Sequence, residues 1–355
     1  MTTQIPAAQA TDIQLPQSVL DKQRPLDSGF TAANTADDVL AGRDLTGTHV
    51  VVTGGHHGIG RETTRALTAA GASVTVGSRD PEAAAAKLAG IERVETSRLD
   101  LMDPDSIDAF AERYLATGRP LHVLLNNAGL MAGPLVRDAR GYESQFSTNH
   151  LGHFQLTLAL LPALRAAGGA RVVTLTSGGH RLSGIRWEDP HFESGYDEMG
   201  LLGYGQSKTA NVLFAVELDR RWAADGIRGY AVHPGIIVTT SLGPARAPGA
   251  TARGGMDSEA LRAQGLINEH GQQIIDPEHE KKTLQQGAST SVFAATSTLL
   301  AEVGGVYLKD NDISELDLDP QPIDMTAPET TVVPHAVDPA AAGRLWELSE
   351  TLIRR

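Results

Sequence analysis

A glycine-rich turn between a short apolar run and a helical pattern constrains the fold of this chain more than any other feature. The run HVVVT at residues 49–53 is rich in β-branched residues and predicts a buried strand. The helical pattern that follows ends at Gly71, a residue type that commonly terminates helices. Between them, residues 53–60 read TGGHHGIG. A strand, a tight glycine turn and a helix in this order predict the first unit of a parallel α/β sheet.

The alternation of strand and helix patterns continues along the chain. Further strands are predicted at ASVTVGS, RVETSRLD, LHVLLNNAG, ARVVTLTSGG, IRGYAVHPG and GGVYLKD. Helices are predicted between them, the longer ones at residues 138–165, 200–225 and 287–301. Right-handed crossovers then give an α/β fold with a single doubly wound parallel sheet, Rossmann-like, and helices on both faces.

The pattern divides the chain into an arm and one domain. Residues 1–42 are polar and proline-containing, and we expect an N-terminal arm, with a partly disordered tail as the alternative. Residues 43–355 are expected to form a single catalytic domain. Within it, residues 243–286 interrupt the alternation as an insertion, and residues 337–353 predict a C-terminal helix.

Charge and composition exclude several classes of protein. The net charge of −13 disfavours binding to nucleic acid or to an anionic membrane surface. The chain has no cysteine, and its histidine pairs at 56/57 and 150/153 lack an evident third ligand, so we expect no metal site. No apolar run reaches about 18 residues, and the N-terminus lacks the pattern of a secretory signal. We therefore expect a cytoplasmic protein without a membrane span.

The turn at residues 53–60 is suited to a pyrophosphate group. Glycines at 54, 58 and 60 leave the backbone bare at a helix N-terminus, where N–H groups and the helix dipole favour an anion. The spacing TGxxxGxG differs from the strict GxGxxG string. His57 within the turn would add positive charge, with a solvated loop histidine as the alternative.

The end of the second predicted strand indicates which dinucleotide is bound. Many NAD-binding folds place a carboxylate there, whereas an arginine accommodates the 2′-phosphate of NADP. Here the strand ends in Ser78 and Arg79, which predicts NADP(H). Asp80 precedes Pro81 and is interpreted as a helix cap. The alternative for Arg79 is an ordinary surface residue.

Tyr204 and Lys208 lie four residues apart on a predicted helix and therefore share one face. Among the six tyrosines, at 114, 142, 196, 204, 230 and 307, only Tyr204 has a lysine four residues on. A nearby ammonium group favours the phenolate and lowers the pKa of a tyrosine. Such a tyrosine exchanges a proton with an alkoxide or alcohol, so the pair predicts general acid/base chemistry.

Taken together, these motifs resemble the short-chain dehydrogenase/reductase family. They occur in the family's order at residues 53–60, 126–129, 177, 204 with 208, and 233–235. Residues 147–154 and the long interval between Ser177 and Tyr204 are similar to the retinol-dehydrogenase-like and protochlorophyllide-reductase-like branch. The resemblance covers roughly residues 45–242 and implies a Rossmann fold and hydride transfer to or from a nicotinamide.

The resemblance also implies roles for individual residues. Tyr204 would be the general acid/base, and Ser177 would hydrogen-bond the substrate oxygen. Lys208 would hold the nicotinamide ribose, and Asn149 a water that relays protons toward Lys208. From the turn and the resemblance together, the residues expected at the cofactor are Gly54, His57, Gly58, Ile59, Gly60, Ser78, Arg79, Asp100, Leu101, Asn126, Ala128, Gly129, Tyr204, Lys208, Pro234, Gly235, Ile237 and Thr239.

The expected substrate is a small carbonyl compound or alcohol. Trp187, Phe192 and Tyr196 precede Tyr204 and would wall a pocket for a lipophilic ketone or aldehyde, with residues 243–286 as a lid. Inert surface loops are the alternative. A retinoid substrate is not implied, and a homo-oligomer is compatible with the family pattern.

Two other functions stay open at this stage. A nucleotide-sugar epimerase or dehydratase also uses a tyrosine–lysine pair, but its turn resembles TGxxGxxG, which would need glycine in place of His57. An NADP-sensing binding protein without turnover would lack part of the catalytic set, whereas Asn149, Ser177, Tyr204 and Lys208 are all present.

Overall fold

The chain is built around one eight-stranded sheet in the order β3-β2-β1-β4-β5-β6-β7-β8. The structure is a computed structural model, and it describes residues 13–240, 242–243, 258–321 and 329–354. All neighbouring strands are parallel except β7 and β8, which form an antiparallel pair. The sequence predicted the seven parallel strands, and the predicted fold class is confirmed. The two-residue strand β8 was not predicted.

The elements have the following bounds. The strands are β1 His49–Thr53, β2 Ser73–Ser78, β3 Val94–Arg98, β4 Val123–Asn126, β5 Ala170–Leu175, β6 Ile227–Val232, β7 Val306–Lys309 and β8 Asp312–Ile313. The α-helices are α1 Gln17–Lys22, α2 Ala36–Leu40, α3 Gly58–Ala69, α4 Pro81–Lys87, α5 Pro104–Leu115, α6 Ser144–Phe146, α7 Gly152–Ala159, α8 Leu161–Ala166, α9 Leu201–Trp222, α10 Ser258–Ala263, α11 Leu284–Thr296, α12 Pro334–Val337 and α13 Pro339–Ile353.

Both faces of the sheet are covered, as its apolar strands require. Helices α2, α3 and α11 bury one face, in a core that includes Val52 and Phe293. Helices α5, α7 and α9 bury the other, in a core that includes Phe110 and Leu218. A sheet buried on both faces has strands that are almost continuously apolar, and β1 and β4 follow this rule.

The helix predicted over residues 138–165 is wrong at its start and in its continuity. Residues before Ser144 form a tight turn in which the Asp138 carboxylate accepts the N–H groups of Arg140 and Tyr142, and Gly141 has a φ of +87°. The carboxylate of Glu143 then caps α6. A π-helical turn over residues 147–151 separates α6 from α7. Short polar caps and a single widened turn are not visible in a 3.6-residue periodicity.

Residues 13–42 lie on the sheet and its helices. Helix α2 packs against α11, and Gln23 is buried between β7 and the chain that follows β8. The Gln23 amide donates to the carbonyl oxygens of Tyr307 and Ser314, at 2.9 and 2.7 Å, and accepts the N–H of Tyr307 at 3.0 Å. Residues 1–12 lie outside the described part of the chain, and the division at residue 42 stays a prediction.

The C-terminal helix α13 packs across α9 and the π-helical turn. Its Trp346 lies edge-on to Phe154 and Trp222, with ring centroids 4.9 and 5.3 Å away. Among the residues that the structure describes, no helix combines the length and apolarity needed to cross a bilayer.

Candidate active site

The glycine turn places the N-terminus of α3 at the carboxyl edge of the sheet. Gly54 and Gly58 have φ values of +65° and +48°, which glycine adopts without strain. His57 occupies the position before the helix and contributes no side-chain hydrogen bond to its first turn. The N–H groups of that turn are therefore not capped by His57, and they point to where an anion would bind.

Two of the three glycines are required by packing within the protein. A Cβ on Gly60 would collide with the Asn127 amide and lie 2.7 Å from the Gly54 carbonyl oxygen. A Cβ on Gly54 would lie 3.2 Å from that of Ala128. Of the three, only Gly58 has room for a Cβ, whose nearest neighbour would be the Thr240 side chain at 3.5 Å. Gly58 therefore has the most open surroundings of the three, and the expectation that all three glycines leave room for the cofactor stays a prediction.

Thr53 fixes the turn to the loop after β4. Its hydroxyl accepts the N–H groups of Asn127 and Ala128, both at 2.9 Å, and lies 2.8 Å from His153 Nε2. The Asn127 amide donates to the Thr53 carbonyl oxygen at 2.9 Å. His153 Nδ1 in turn lies 3.0 Å from the Asn149 carbonyl oxygen. Burial lowers the pKa of His153 to about 4, so the ring is neutral, and its Nε2 accepts a hydrogen bond from the Thr53 hydroxyl.

Three segments converge around this turn. Thr240 faces Gly58, and Leu242 lies 3.8 Å from a Cβ position on Gly129. The Met131 N–H donates to the Gly243 carbonyl oxygen at 3.0 Å. The chain after β6 therefore crosses the loop after β4 beside the N-terminus of α3.

At the end of β2, the structure separates the roles of Ser78, Arg79 and Asp80. Ser78 is buried, and its hydroxyl donates to the Asp80 carbonyl oxygen and accepts the Asp80 N–H, at 3.0 and 3.2 Å. It therefore takes part in the local turn, and the expected contact from Ser78 to a phosphate stays a prediction. The Asp80 carboxylate caps α4 by accepting the Ala83 N–H at 2.9 Å, as interpreted from the sequence. Arg79 is exposed at the edge of the sheet.

Basic side chains gather between the glycine turn and α4. Lys87 Nζ, from the last turn of α4, lies 2.6 Å from His57 Nε2. The rings of His56 and His57 are 4.4 Å apart. Burial, together with the charges of His57, Lys87 and Arg79, lowers the pKa of His56 to about 4, so these basic groups lie close to one another. Lys87 was not anticipated from the sequence because it follows Arg79 by eight positions in another element.

Tyr204 and Lys208 lie on α9 and face the end of β5, as their spacing predicts. Both are buried, and Lys208 Nζ is 5.4 Å from the centre of the Tyr204 ring. Lys208 Nζ donates to the Leu175 carbonyl oxygen at 3.1 Å. Burial lowers the pKa of Lys208 to about 8.

The pKa of Tyr204 moves opposite to the sequence expectation. Burial raises it to about 12, and a hydrogen bond with the Ser177 side chain opposes that rise. The hydroxyl is therefore protonated at neutral pH, which is the form that donates a proton. Ser177 lies just after the end of β5, and its Oγ also accepts the Gly179 N–H at 3.1 Å.

Asn149 lies in the π-helical turn, with its side chain fully buried. Its Oδ1 accepts the Leu130 N–H at 2.7 Å, and its Nδ2 donates to the Leu130 carbonyl oxygen and to Ser207 Oγ at 3.0 and 2.9 Å. Ser207 donates to the Tyr204 carbonyl oxygen at 2.7 Å. Asn149 therefore ties the loop after β4 to α9, and π-helical turns are frequent at functional sites.

The remaining residues suggested by the family pattern line the same edge of the sheet with different exposure. The Asn126 amide donates inward to Thr157 and Thr174, while its Oδ1 has no hydrogen-bond partner in the described structure. Asp100 Oδ1 accepts the Met102 N–H at 3.1 Å, and Leu101 is buried against Gly152.

After β6, the chain contains four of the residues expected at the cofactor, and their role there stays a prediction. Gly235, which follows Pro234, has a φ of +87°, and the Lys282 side chain lies against it. Ile237 is buried beneath α11, whereas Thr239 is exposed.

The three aromatic residues expected to wall a pocket lie in two different surroundings. Trp187 stacks on the Arg344 guanidinium of α13, 4.3 Å away. Phe192 is buried under Arg186 and packs edge-on against Tyr196, with ring centroids 5.1 Å apart. The Tyr196 hydroxyl is 2.8 Å from Gln145 Nε2, and the pocket wall stays a prediction. Residues 244–257 of the expected lid lie outside the described residues, and the lid stays a prediction.

Sequence reasoning missed Gln145, which organises the substrate side. Its Nε2 donates to the Gly200 carbonyl oxygen at 2.8 Å, and its Oε1 accepts the Ala132 N–H at 2.9 Å. The loop after β4 is thus joined to the chain before α9. No local sequence signal marks such a residue, because its partners come from two other segments, the loop after β4 and the chain before α9. Asn127 and His153, by contrast, stand inside the recognised motifs at residues 126–129 and 147–154.

Comparisons with known proteins identify the family. A family model for short chain dehydrogenases matches residues 48–188. A "probable oxidoreductase" of Streptomyces lividans is 44% identical over 313 residues, covering 86% of this chain and 97% of that protein. Retinol dehydrogenase 12 of Mus musculus is 43% identical over 272 residues, covering 75% and 78%.

A solved structure agrees with this assignment. The crystal structure of an uncharacterized protein from Mycobacterium paratuberculosis aligns with a TM-score of 0.64 and 30% identity, covering 92% of this chain and 97% of that chain. Family, fold and motif order therefore coincide. The chain is an oxidoreductase that belongs to the short-chain dehydrogenase/reductase family, in its retinol-dehydrogenase-like branch.

Proposed function

We propose that this protein is an NADP(H)-dependent oxidoreductase that transfers hydride between the nicotinamide and a carbonyl compound or alcohol, with Tyr204 as the general acid/base. One observation supports the proposal above others: a protonated, buried Tyr204 lies beside Ser177 and Lys208 at the same sheet edge as the glycine turn. This arrangement combines a proton donor with a dinucleotide-binding turn.

The chain fits a dinucleotide in three respects. The first turn of α3 has no side-chain cap from His57, Thr240 is the nearest neighbour of a Cβ position on Gly58, and Leu242 lies beside Gly129 in the loop after β4. The family uses NAD or NADP. When bound, the nicotinamide supplies or accepts the hydride.

A preference for NADP(H) is supported by the basic side chains beside the turn. Arg79, Lys87 and His57 lie where the first and second strands end, which is where dinucleotide folds hold the adenosine ribose. A 2′-phosphate is an acceptor for such donors, and charge-assisted hydrogen bonds of this kind are stronger than neutral ones.

The protein's own residues then manage the proton. In carbonyl reduction, the Tyr204 hydroxyl donates its proton to the substrate oxygen as negative charge develops there. The Ser177 hydroxyl holds the same oxygen in place. The Lys208 ammonium, near the face of the Tyr204 ring, stabilises the resulting phenolate. Asn149 fixes the loop over Leu130 and, through Ser207, the backbone of Tyr204.

The proposed substrate is a lipophilic ketone or aldehyde. Leu242 and Met199 are large apolar residues that are 40% and 60% exposed beside the loop after β4, where Gly133 N–H meets the Met199 carbonyl oxygen. Exposed apolar groups beside the proposed site favour an apolar ligand.

The test is NADPH oxidation against a panel of aldehydes and ketones, with wild type and Tyr204→Phe measured together. We expect turnover by the wild type and its loss in Tyr204→Phe, with cofactor binding retained by both. Equal rates in the two proteins would exclude Tyr204 as the acid. Binding of NADPH without turnover of any compound would instead support a cofactor-sensing protein.

A further inference from the structure

His233, the first residue after β6, links the catalytic serine turn to a buried carboxylate. Its Nδ1 accepts the Gly178 N–H at 3.2 Å, and its Nε2 lies 3.1 Å from Glu280 Oε2. Because Nδ1 is the acceptor, the ring proton is on Nε2 and is donated to Glu280. Gly178 directly follows Ser177, so a chain of hydrogen bonds runs from Glu280 to the turn that carries Ser177.

Glu280 is held in its ionised form by its surroundings. It is 6% exposed, and its Oε1 accepts hydrogen bonds from Lys309 Nζ, at 2.8 Å, and from the Thr330 hydroxyl. Burial raises the pKa of Glu280, but the attraction of His233 and Lys309 outweighs burial and holds the pKa well below its usual range. A fixed negative charge at this position keeps the His233 proton on Nε2 and leaves Nδ1 free to accept.

The backbone of Glu280 has a conformation that a residue with a side chain adopts at a cost. Its φ is +66°, a left-handed conformation that costs a residue with a side chain about 1–2 kcal/mol. Its carbonyl oxygen accepts the Ile236 N–H at 2.7 Å, which joins this segment to the chain after β6. Glycine adopts the same conformation without strain, and unfavourable backbone conformations of this kind concentrate at functional sites.

The serine turn is clamped from two further sides. A Cβ on Gly178 would lie 2.7 Å from Thr330 Cγ2, and a Cβ on Gly179 would lie 2.8 Å from Tyr204 Cε1. Gly179 also donates its N–H to Ser177 Oγ. The turn thus has Thr330 on one side and the Tyr204 ring on the other, and the hydrogen bond to His233 sets its position between them.

We propose that Glu280 and His233 are positioning residues of the active site: through the Gly178 N–H they fix the turn that presents Ser177 Oγ next to Tyr204. This inference rests on the proposed function, because the distance between Ser177 and Tyr204 matters only if both act on one substrate oxygen. Neither residue is assigned to contact the substrate or the cofactor.

The first test compares kinetic constants of Glu280→Gln with those of a matched control, Glu217→Gln. Glu217 is also a buried, ion-paired carboxylate, bound by Arg220 and Arg221 further along α9. For Glu280→Gln we expect kcat to fall about tenfold or more with the KM for NADPH unchanged, since small displacements of reacting groups strongly affect rate. Glu217→Gln is expected to keep wild-type kcat.

Two variants of His233 separate positioning from general damage. In His233→Asn the amide oxygen takes the place of Nδ1 and still accepts the Gly178 N–H. In His233→Gln the amide takes the place of Nε2, so the contact with Glu280 is kept and that with Gly178 is lost. His233→Asn should therefore retain the higher kcat, and the opposite order overturns the proposal.

A readout without substrate keeps this inference distinct from the proposed function. Amide hydrogen exchange at Gly178 should be slow in wild type and in Glu217→Gln, and faster in Glu280→Gln and His233→Gln. Unchanged Gly178 exchange together with unchanged kcat in Glu280→Gln would overturn the positioning role. A wild-type protein that turns over no carbonyl compound would overturn the proposed function, while the exchange data would still decide whether Glu280 holds the turn.

Discussion

Lys87 Nζ lies 2.6 Å from His57 Nε2, so a side chain from the end of α4 meets the glycine turn that precedes α3. Both residues are exposed, and Arg79 contributes to the same positive region. In a chain with a net charge of −13, this local accumulation of basic groups indicates an anionic ligand at the turn.

Lys87→Ala should therefore weaken NADPH more than NADH. We expect the KM for NADPH to rise about tenfold, equivalent to about 1.4 kcal/mol, with little change for NADH, which has no 2′-phosphate. Steady-state kinetics with both cofactors checks this. Arg354→Ala removes the same charge just after the end of α13, where Arg354 pairs with Glu350, and serves as the control. An equal effect of Lys87→Ala on both cofactors would contradict the assignment.

The pH dependence of carbonyl reduction should follow Lys208. Burial lowers its pKa to about 8, so the ammonium is present below that pH and is lost as the pH rises through it. The Tyr204 phenolate then loses its counter-charge, and kcat should fall above about pH 8 although Tyr204, with a pKa of about 12, stays protonated.

This profile can be checked by measuring kcat between about pH 6 and pH 10 in wild type and Lys208→Arg. A guanidinium keeps its charge throughout that range, so the fall should disappear in the variant. A fall near pH 8 that persists in Lys208→Arg would assign the titration to another group.

Most of the fold followed from the sequence because its signals are local. The apolar runs of β1, β4, β5 and β6 and the glycine turn before α3 each specify their own structure within a few residues. The start of α6 could not be placed because it depends on the Glu143 cap and on the left-handed Gly141, which periodicity does not report.

The candidate site divides in the same way. Tyr204, Lys208 and the glycine turn carry sequence motifs, and the structure places them at one edge of the sheet. Gln145 and Glu280 carry none, since their partners lie in distant segments and only folding brings them together. Ser78 shows the reverse case, because a residue of the right type at the right position is engaged by Asp80 instead.

Two substitutions of glycine by alanine, both in helices, should have opposite effects on the free energy of unfolding. Gly60→Ala would force a Cβ against the Asn127 amide and the Gly54 carbonyl oxygen, and we expect a loss of about 1–3 kcal/mol in the free energy of unfolding. A Cβ on Gly343 in α13 meets nothing within 4 Å, so Gly343→Ala should stabilise by about 0.4–1 kcal/mol. Thermal unfolding of both variants tests the pair, and equal Tm shifts would contradict the packing argument.

Trp346→Ala should detach α13 from α9. The indole is 3% exposed among Phe154, Phe214 and Trp222, and removing such a side chain costs about 3–5 kcal/mol. Urea unfolding should show this loss. Trp187→Ala is the matched control, because Trp187 is only partly buried against Arg344, and a comparable loss there would argue against a special role for the Trp346 cluster.

The side chain of Gln23 binds the backbone of Tyr307, which lies 284 residues later in the chain. The partners of this side chain lie in β7 and in the chain after β8, so the segment around Gln23 can dock only after both have taken their places. Contacts so distant in sequence form slowly, because the entropy of closing the loop must be offset first. Until Gln23 docks, the backbone groups of Tyr307 and Ser314 lack these partners, and unpaired groups of this kind beside a strand can pair with other chains.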